Sequence, residues 1–144
     1  MIAVVVPVYR TSIARHEHIA WSSLVRTLSS RTIILIGPES LEHQLRPEWR
    51  GLPFISFPSG FFASRRGYNR LMLSSRLFRR FASYSHILIA QLDSLILRDR
   101  LDEWVRSDYD FVGSPLRAGY GKRGVYSFGP GLNGGLSLRR IDSA

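Results

Sequence analysis

The chain has 144 residues, and 20 Lys+Arg against 11 Asp+Glu give it a formal charge of +9. A chain of this length is expected to form one domain that buries roughly 68–70% of its unfolded surface, and 44% hydrophobic with 22% charged residues excludes the disordered class. The absence of cysteine removes disulfide scaffolds, thiol nucleophiles and thiolate-based zinc sites.

In chain order, residues 2–8 form a continuous β-branched run ending in a polar segment, the pattern of a strand buried on both faces. Over 16–30, Ile19, Trp21, Leu24, Val25 and Leu28 recur with the spacing of one helix face. Residues 32–36 read as a second buried strand stopped by Gly37-Pro38, and 54–57 as a short third one between Pro53 and Pro58. From 68 to 81, Tyr68, Leu71, Met72, Leu77, Phe78 and Phe81 fit one long helix or two shorter ones, with Ser74 or Ser75 able to cap the second. Residues 86–90 are another apolar run, and 94–97 resume β character. Asp99 then reads as an N-cap, with Leu101, Trp104 and Val105 on the inner face of a short helix, and Phe111-Val112 as a last short strand.

Alternating strands and helices, with strands that are apolar throughout, predict an α/β fold: a three-layer α/β/α sandwich around a mainly parallel sheet. Eight of the 12 glycines fall between Gly113 and Gly135, which predicts a long Gly-rich loop over 113–135. The chain stops soon after Leu136-Ser137-Leu138, where another helix is expected, so residues 1–144 read as a single domain that is truncated or minimal at its C-terminal side. The apolar runs at 2–8 and 33–36 are too short to span a bilayer, and the amino end lacks a basic n-region, so the expected address is cytoplasmic.

Of the 20 cations, 19 are Arg and only Lys122 is Lys. Codon usage accounts for this as well as phosphate recognition by the guanidinium fork does, and composition alone leaves both open. Position is more telling. Residues 46–92 hold eight Arg and one acid, Glu48, whereas 93–110 hold six acids and three Arg, which predicts a divided surface. Arg76, Arg79 and Arg80 read as the solvated face of a helix whose other side is Leu77, Phe78 and Phe81. Arg65, Arg66 and Arg70 remain as a local anion site, with Arg70 the leading candidate.

The stretch Ile87-Leu88-Ile89-Ala90-Gln91-Leu92-Asp93 places a carboxylate directly after a buried strand, at the edge where open α/β sheets bind ligands. Asp93 can hold a divalent cation there, or simply cap a turn or pair with an Arg. Gly119-Tyr120-Gly121-Lys122-Arg123-Gly124 matches Gly-x-Gly-x-x-Gly literally, but neither a preceding strand nor a following helix gives it meaning, so it reads as loop. His16 and His18, two apart, point to nearly opposite sides of a helix and do not share a metal, and His43 and His86 have no visible partners. Asp108 and Asp110 read as helix-end and strand-start residues, and Glu39 either contacts a nucleoside or caps the turn after Pro38.

The run Gly67-Tyr68-Asn69-Arg70-Leu71-Met72-Leu73-Ser74, together with Ile89-Ala90-Gln91-Leu92-Asp93-Ser94, resembles a domain-of-unknown-function family of GT-A-type glycosyltransferases. Val5-Val6-Pro7-Val8-Tyr9, Pro38-Glu39, Tyr109-Asp110-Phe111-Val112-Gly113 and Asn133-Gly134-Gly135-Leu136-Ser137-Leu138-Arg139 fit the same pattern in the same order, over nearly the whole chain. More distantly, the chain is similar to glycogenin-like transferases. The resemblance implies a nucleotide-diphospho-sugar transferase fold and a catalytic pair in which Asp93 matches the metal-binding second Asp of an Asp-x-Asp motif. Gln91 stands where the first Asp would be, and a neutral amide is a poorer ligand for manganese or magnesium. The resemblance further implies donor-binding roles for Pro7, Val8 and Tyr9 around the nucleoside, Glu39 beside it, Asn69 and Arg70 near the diphosphate, and Asn133, Gly134 and Gly135 facing the sugar.

The reading is therefore transfer of a sugar from a nucleotide-diphosphate donor to an acceptor, a saccharide or another, with the leaving diphosphate neutralised by a metal. Two alternatives stand beside it. One is a nucleotide-sugar-binding remnant without turnover. The other is a basic nucleic-acid-binding domain, whose affinity would fall steeply with salt; the placement of most aromatics as core argues against nucleic acid as a partner.

Overall fold

The computed structural model describes residues 1–118 and 127–142 of the chain. Its centre is a six-stranded mixed sheet in the order β3-β2-β1-β4-β6-β5, with β1 at Ile2–Pro7, β2 at Thr32–Pro38, β3 at Phe54–Phe57, β4 at His86–Ala90, β5 at Phe111–Ala118 and β6 at Ser127–Arg140. The first four strands run parallel, while β6 pairs antiparallel with β4 (Leu88 opposite Leu138) and β5 antiparallel with β6.

Helices cover both faces, which explains why β1, β2 and β4 are apolar along nearly their whole length, with Thr32 and His86, each the first residue of its strand, as the polar exceptions. Along β1, Val4 and Val6 pack with Trp21 and Leu24 of α1 (Arg15–Thr27), with Leu28 just after it, and with Leu101 of α4 (Leu101–Arg106). The alternate residues Ala3 and Val5 pack with Leu71 and Met72 of α2 (Arg65–Met72) and with Leu77 of α3 (Ser75–Arg80). Side chains of a strand alternate between faces, so two covered faces favour apolar residues at successive positions.

The ambiguous stretch 68–81 resolves into α2 and α3. Ser74 ends one helix and caps the next, donating its hydroxyl to the Leu71 carbonyl at 2.8 Å and accepting from Leu77 N at 3.4 Å. Asp99 acts as expected in part: its carboxylate accepts from Leu101 N at 3.1 Å, although Arg100 occupies the cap position itself. Arg31 then holds Asp99 at 2.7 Å and Asp102 at 2.8 Å, fixing α4 against the β1–β2 edge.

Several expectations need correction. Residues 94–97 form no strand. The predicted loop 113–135 lies mostly in the strands of the β5–β6 hairpin, and Leu136-Ser137-Leu138 belongs to β6. Glycine density misleads here because the ladder hydrogen bonds of a hairpin are indifferent to side chains. The sheet is mixed: three of its five pairings are parallel, and the two made by β6 are antiparallel. Ile19 and Val25 of α1 and Trp104 of α4, expected inward, are exposed. The Gly-x-Gly-x-x-Gly match at 119–124 lies outside the described residues. Among the described residues no helix is long and apolar enough to cross a membrane.

Candidate functional site

β1 and β4 are neighbours, but the sheet grows away from them in opposite directions, towards β2 on one side and β6 on the other. Chain segments leaving their carboxyl ends therefore diverge, and the crevice between them is where open α/β sheets take ligands. A cavity of about 490 Å³ occupies this position. It is lined by Pro7, Val8, Tyr9 and Arg10 after β1, by Gln91, Leu92 and Asp93 after β4, by Ile13, His16 and Glu17 at the start of α1, and by Ser64, Arg65 and Tyr68 at the start of α2, with Trp49 and Phe62 completing the wall. Its volume falls within the range of roughly 300–1,000 Å³ typical of small-ligand sites.

Two helix N-termini converge on this cavity. Ala14 has no side chain to cap α1, so Glu17 reaches back and accepts from Ala14 N at 2.6 Å. The same carboxylate, 7% exposed, takes two hydrogen bonds from Arg10 Nη2, both at 2.9 Å. Burial works to raise the Glu17 pKa, but the Ala14 N–H and the Arg10 guanidinium outweigh it and hold the group below its usual value. The ion pair ties the segment after β1 to α1, and Arg46 ties it again by donating to the Thr11 carbonyl at 2.6 Å while its guanidinium lies 5.8 Å from the Trp49 ring. At the other helix, Ser64 caps α2 by accepting from Gly67 N at 3.0 Å. Gly67 also lets α2 lie close to the turn at Ser59–Phe61, since a Cβ there would stand 2.8 Å from the Gly60 carbonyl oxygen. Unpaired N–H groups and the helix dipole make such ends favourable for anions.

The β4 end is fixed by β6. Gln91 N donates to the Gly135 carbonyl at 2.9 Å, and Ser94 N returns to the Gln91 carbonyl at 2.9 Å, so Gln91-Leu92-Asp93 is a tight turn at the cavity mouth. Asn133 Oδ1 accepts from Gly135 N at 2.8 Å, and a Cβ on Gly135 would fall 2.6 Å from Gln91 Oε1. Asn133-Gly134-Gly135 thus backs the Gln91 amide rather than lining the cavity directly.

Of the residues singled out in the sequence, Pro7, Val8, Tyr9, Gln91 and Asp93 meet in one cavity, with Gly135 behind Gln91. Glu39, Asn69 and Arg70 are exposed and do not line it, whereas Arg65 does. Arg76, Arg79 and Arg80 are exposed as expected, with Arg76 5.7 Å from the Phe61 ring and Arg80 5.9 Å from the Phe57 ring. Asp108 and Asp110 both pair with Arg140 on the far side of the hairpin.

Sequence reasoning missed Glu17, Trp49, Tyr68 as a cavity residue, and Arg139. Arg139 is 6% exposed and is held by neutral partners, donating from Nη1 to the Met72 carbonyl at 2.5 Å and from Nε to Ser137 Oγ at 3.1 Å. Burial pulls its pKa below the ordinary value, and the nearby Tyr68 opposes that shift. Period-2 counting along a strand at 136–140 would have put Arg139 on the face opposite Leu138, but the segment was not read as a strand.

A divalent cation fits this site in one way only. Asp93 is the one carboxylate of the β4 turn, Gln91 is neutral, and among the described residues no three His, Cys, Asp or Glu stand close enough together to hold a metal ion. That donor set suits an ion sharing Asp93 with phosphate oxygens of a ligand, not an ion caged by protein groups.

A family model described as "Protein of unknown function (DUF5672)" matches residues 51–144. No curated protein matches the chain.

Proposed function

The chain belongs to the DUF5672 family, whose model matches its residues 51–144, and we propose, from the geometry of its cavity, that it is a GT-A-like glycosyltransferase whose donor, a nucleotide-diphospho-sugar, occupies the β1–β4 cavity. The carrying observation is that one cavity at the switch point of the sheet gathers two helix N-termini, Arg10, Arg65, His16 and the Gln91–Asp93 turn. This is an anion-favouring end next to hydrogen-bonding groups suited to sugar hydroxyls, inside a volume that takes a nucleotide.

Transfer requires the glycosidic C–O bond to the diphosphate to break while an acceptor oxygen attacks the anomeric carbon. Charge accumulates on the leaving diphosphate, and fixed donors aimed at it lower the barrier. Arg65 and the first turns of α1 and α2 supply that field. Gln91, braced by Gly135, orients sugar or ribose hydroxyls, and the Pro7-Val8-Tyr9 edge flanks the nucleoside. Asp93 accepts from a donor hydroxyl or shares a cation with the diphosphate. When bound, manganese or magnesium would contribute neutralisation of the phosphate charge.

Calorimetric titration with a panel of nucleotide-sugars, with and without manganese, tests the reading. Binding of at least one donor, weakened in Asp93→Ala, is expected. Absence of heat with every donor, under both conditions, refutes it.

A further inference from the structure

Among the described residues, three buried side-chain polar atoms have no hydrogen-bond partner: Trp49 Nε1, Tyr68 Oη and His86 Nε2. Two of these three belong to residues that line the same cavity. Buried polar groups are almost always paired, so two orphans at one cavity call for a physical cause. They come from opposite sides of the sheet. Trp49, fully buried, packs in the cluster under α1, while Tyr68 sits on α2 and packs against the cluster under α2 and α3. The Gln91 side chain lies close enough to Tyr68 to pull the phenol's pKa down as a hydrogen-bonding neighbour does, but the contact falls short of hydrogen-bond geometry and leaves the hydroxyl without a settled partner.

The chemistry of the two groups restricts what can complete them. Indole Nε1 only donates. The phenol can donate or accept, but burial raises its pKa and keeps it protonated, and Arg139 lies nearby as a cation. A cationic neighbour favours an anionic acceptor at the hydroxyl. Of the acids in the cavity, Glu17 is committed to Arg10 and Ala14, and Asp93, near enough to help raise the Tyr68 pKa, makes no hydrogen bond to the phenol.

We propose that Tyr68 and Trp49 are recognition residues that donate hydrogen bonds to oxygen atoms of the bound ligand, Tyr68 to a diphosphate oxygen and Trp49 to an uncharged oxygen on the opposite wall. The assignment rests on the donor reading above and deepens it. It makes the cavity donor-rich when empty and satisfied only by an acceptor-rich guest. Leaving two donors unpaired destabilises the empty protein, and ligand binding recovers that loss.

The test is Tyr68→Phe, measured by thermal melting without ligand and by calorimetry with nucleoside diphosphates and with inorganic pyrophosphate. Removing an unpaired buried hydroxyl is expected to leave the unliganded melting temperature unchanged or raise it, while affinity for the diphosphate falls about tenfold. Trp49→Phe should weaken binding as well, but with a lower melting temperature because the smaller ring leaves part of a filled core site empty. If unliganded Tyr68→Phe melts several degrees below wild type, the hydroxyl already has a partner and the assignment falls. If wild type and Tyr68→Phe bind nucleoside diphosphates equally, the assignment falls and the donor reading stands. If wild type binds no nucleotide, the donor reading falls and pyrophosphate decides the assignment in the same way, with no pyrophosphate binding also overturning it.

Discussion

Gly135→Ala is the sharpest probe of how the hairpin supports the site. The new Cβ would lie 2.6 Å from Gln91 Oε1, 3.1 Å from Gln91 Cδ and 3.2 Å from Asn133 Oδ1. The backbone cannot yield easily, because the Gly135 carbonyl accepts from Gln91 N at 2.9 Å and Gly135 N donates to Asn133 at 2.8 Å. The Gln91 amide must therefore retreat by about 0.8 Å to reach ordinary contact at 3.4 Å. Overpacking a core costs about 1–3 kcal/mol, and the flexible end of Gln91 puts this case near the lower limit. Against it, Ala in a strand recovers roughly 0.5 kcal/mol of the entropy Gly loses. Gly135 is outside the positive-φ region, so no backbone strain adds to the account. A net loss of about 0.5 kcal/mol corresponds to a fall of roughly 1–2 °C in Tm for a domain of this size. The displaced amide should cost about tenfold in donor affinity. The assay is a double-mutant cycle with Gln91→Ala, read by melting and by titration. On the Gln91→Ala background that clash is gone, so Gly135→Ala should instead gain the roughly 0.5 kcal/mol of recovered entropy, a coupling near 1 kcal/mol. Effects that add within about 0.3 kcal/mol would refute the claim that Gly135 acts through Gln91.

Three further outcomes follow from the same geometry. Ser64→Ala removes the α2 cap and should cost about 1 kcal/mol; since Ser64, Arg65 and Tyr68 line the cavity, donor affinity should fall with it, as titration will show. Glu17 ionises below its ordinary pKa of 4.5 in the folded chain, so the stability it contributes is present above that value and is lost as pH falls through the folded one. Glu17→Gln should be less stable than wild type at neutral pH by denaturant titration, and the gap should close in acid. His86 is buried, with its pKa lowered by burial and by Arg140 from the ordinary 6.5. The unfolded chain binds the proton more readily, so stability should begin to fall as pH drops below 6.5, and His86→Leu should flatten that part of the pH profile.

Part of the site was legible from residue order alone. A β-branched run ending in Pro7-Val8-Tyr9 and another ending in Gln91-Leu92-Asp93 marked two strand ends in a chain of alternating strands and helices, and such ends carry ligands in open sheets. Glu17 was not legible, because a glutamate in the first turn of a helix reads as ordinary capping until Arg10 is seen across from it. Arg70 drew the reading because it lies in the resembling motif, yet helical rotation carries Arg65 and Tyr68 to the cavity and leaves Arg70 outside.

Taken by itself, the sequence determined what periodicity and composition determine: buried strands at 2–8, 32–36 and 86–90, helical segments over 16–30 and 68–81, and a serine, Ser74 or Ser75, to cap a break in the second. These features are local, because burial on two faces favours apolar residues at successive strand positions and a helix break needs a cap. Tertiary structure decided the rest. Pairing of β6 with β4 turned a glycine-rich stretch into sheet, brought Gly135 behind Gln91 and buried Arg139 under α2. Trp49 and Tyr68, 19 residues apart in the chain, became two walls of one cavity. Such long-range pairings leave no period to count, since a strand hydrogen-bonds through its backbone and its partner is chosen by the packing of the whole sheet.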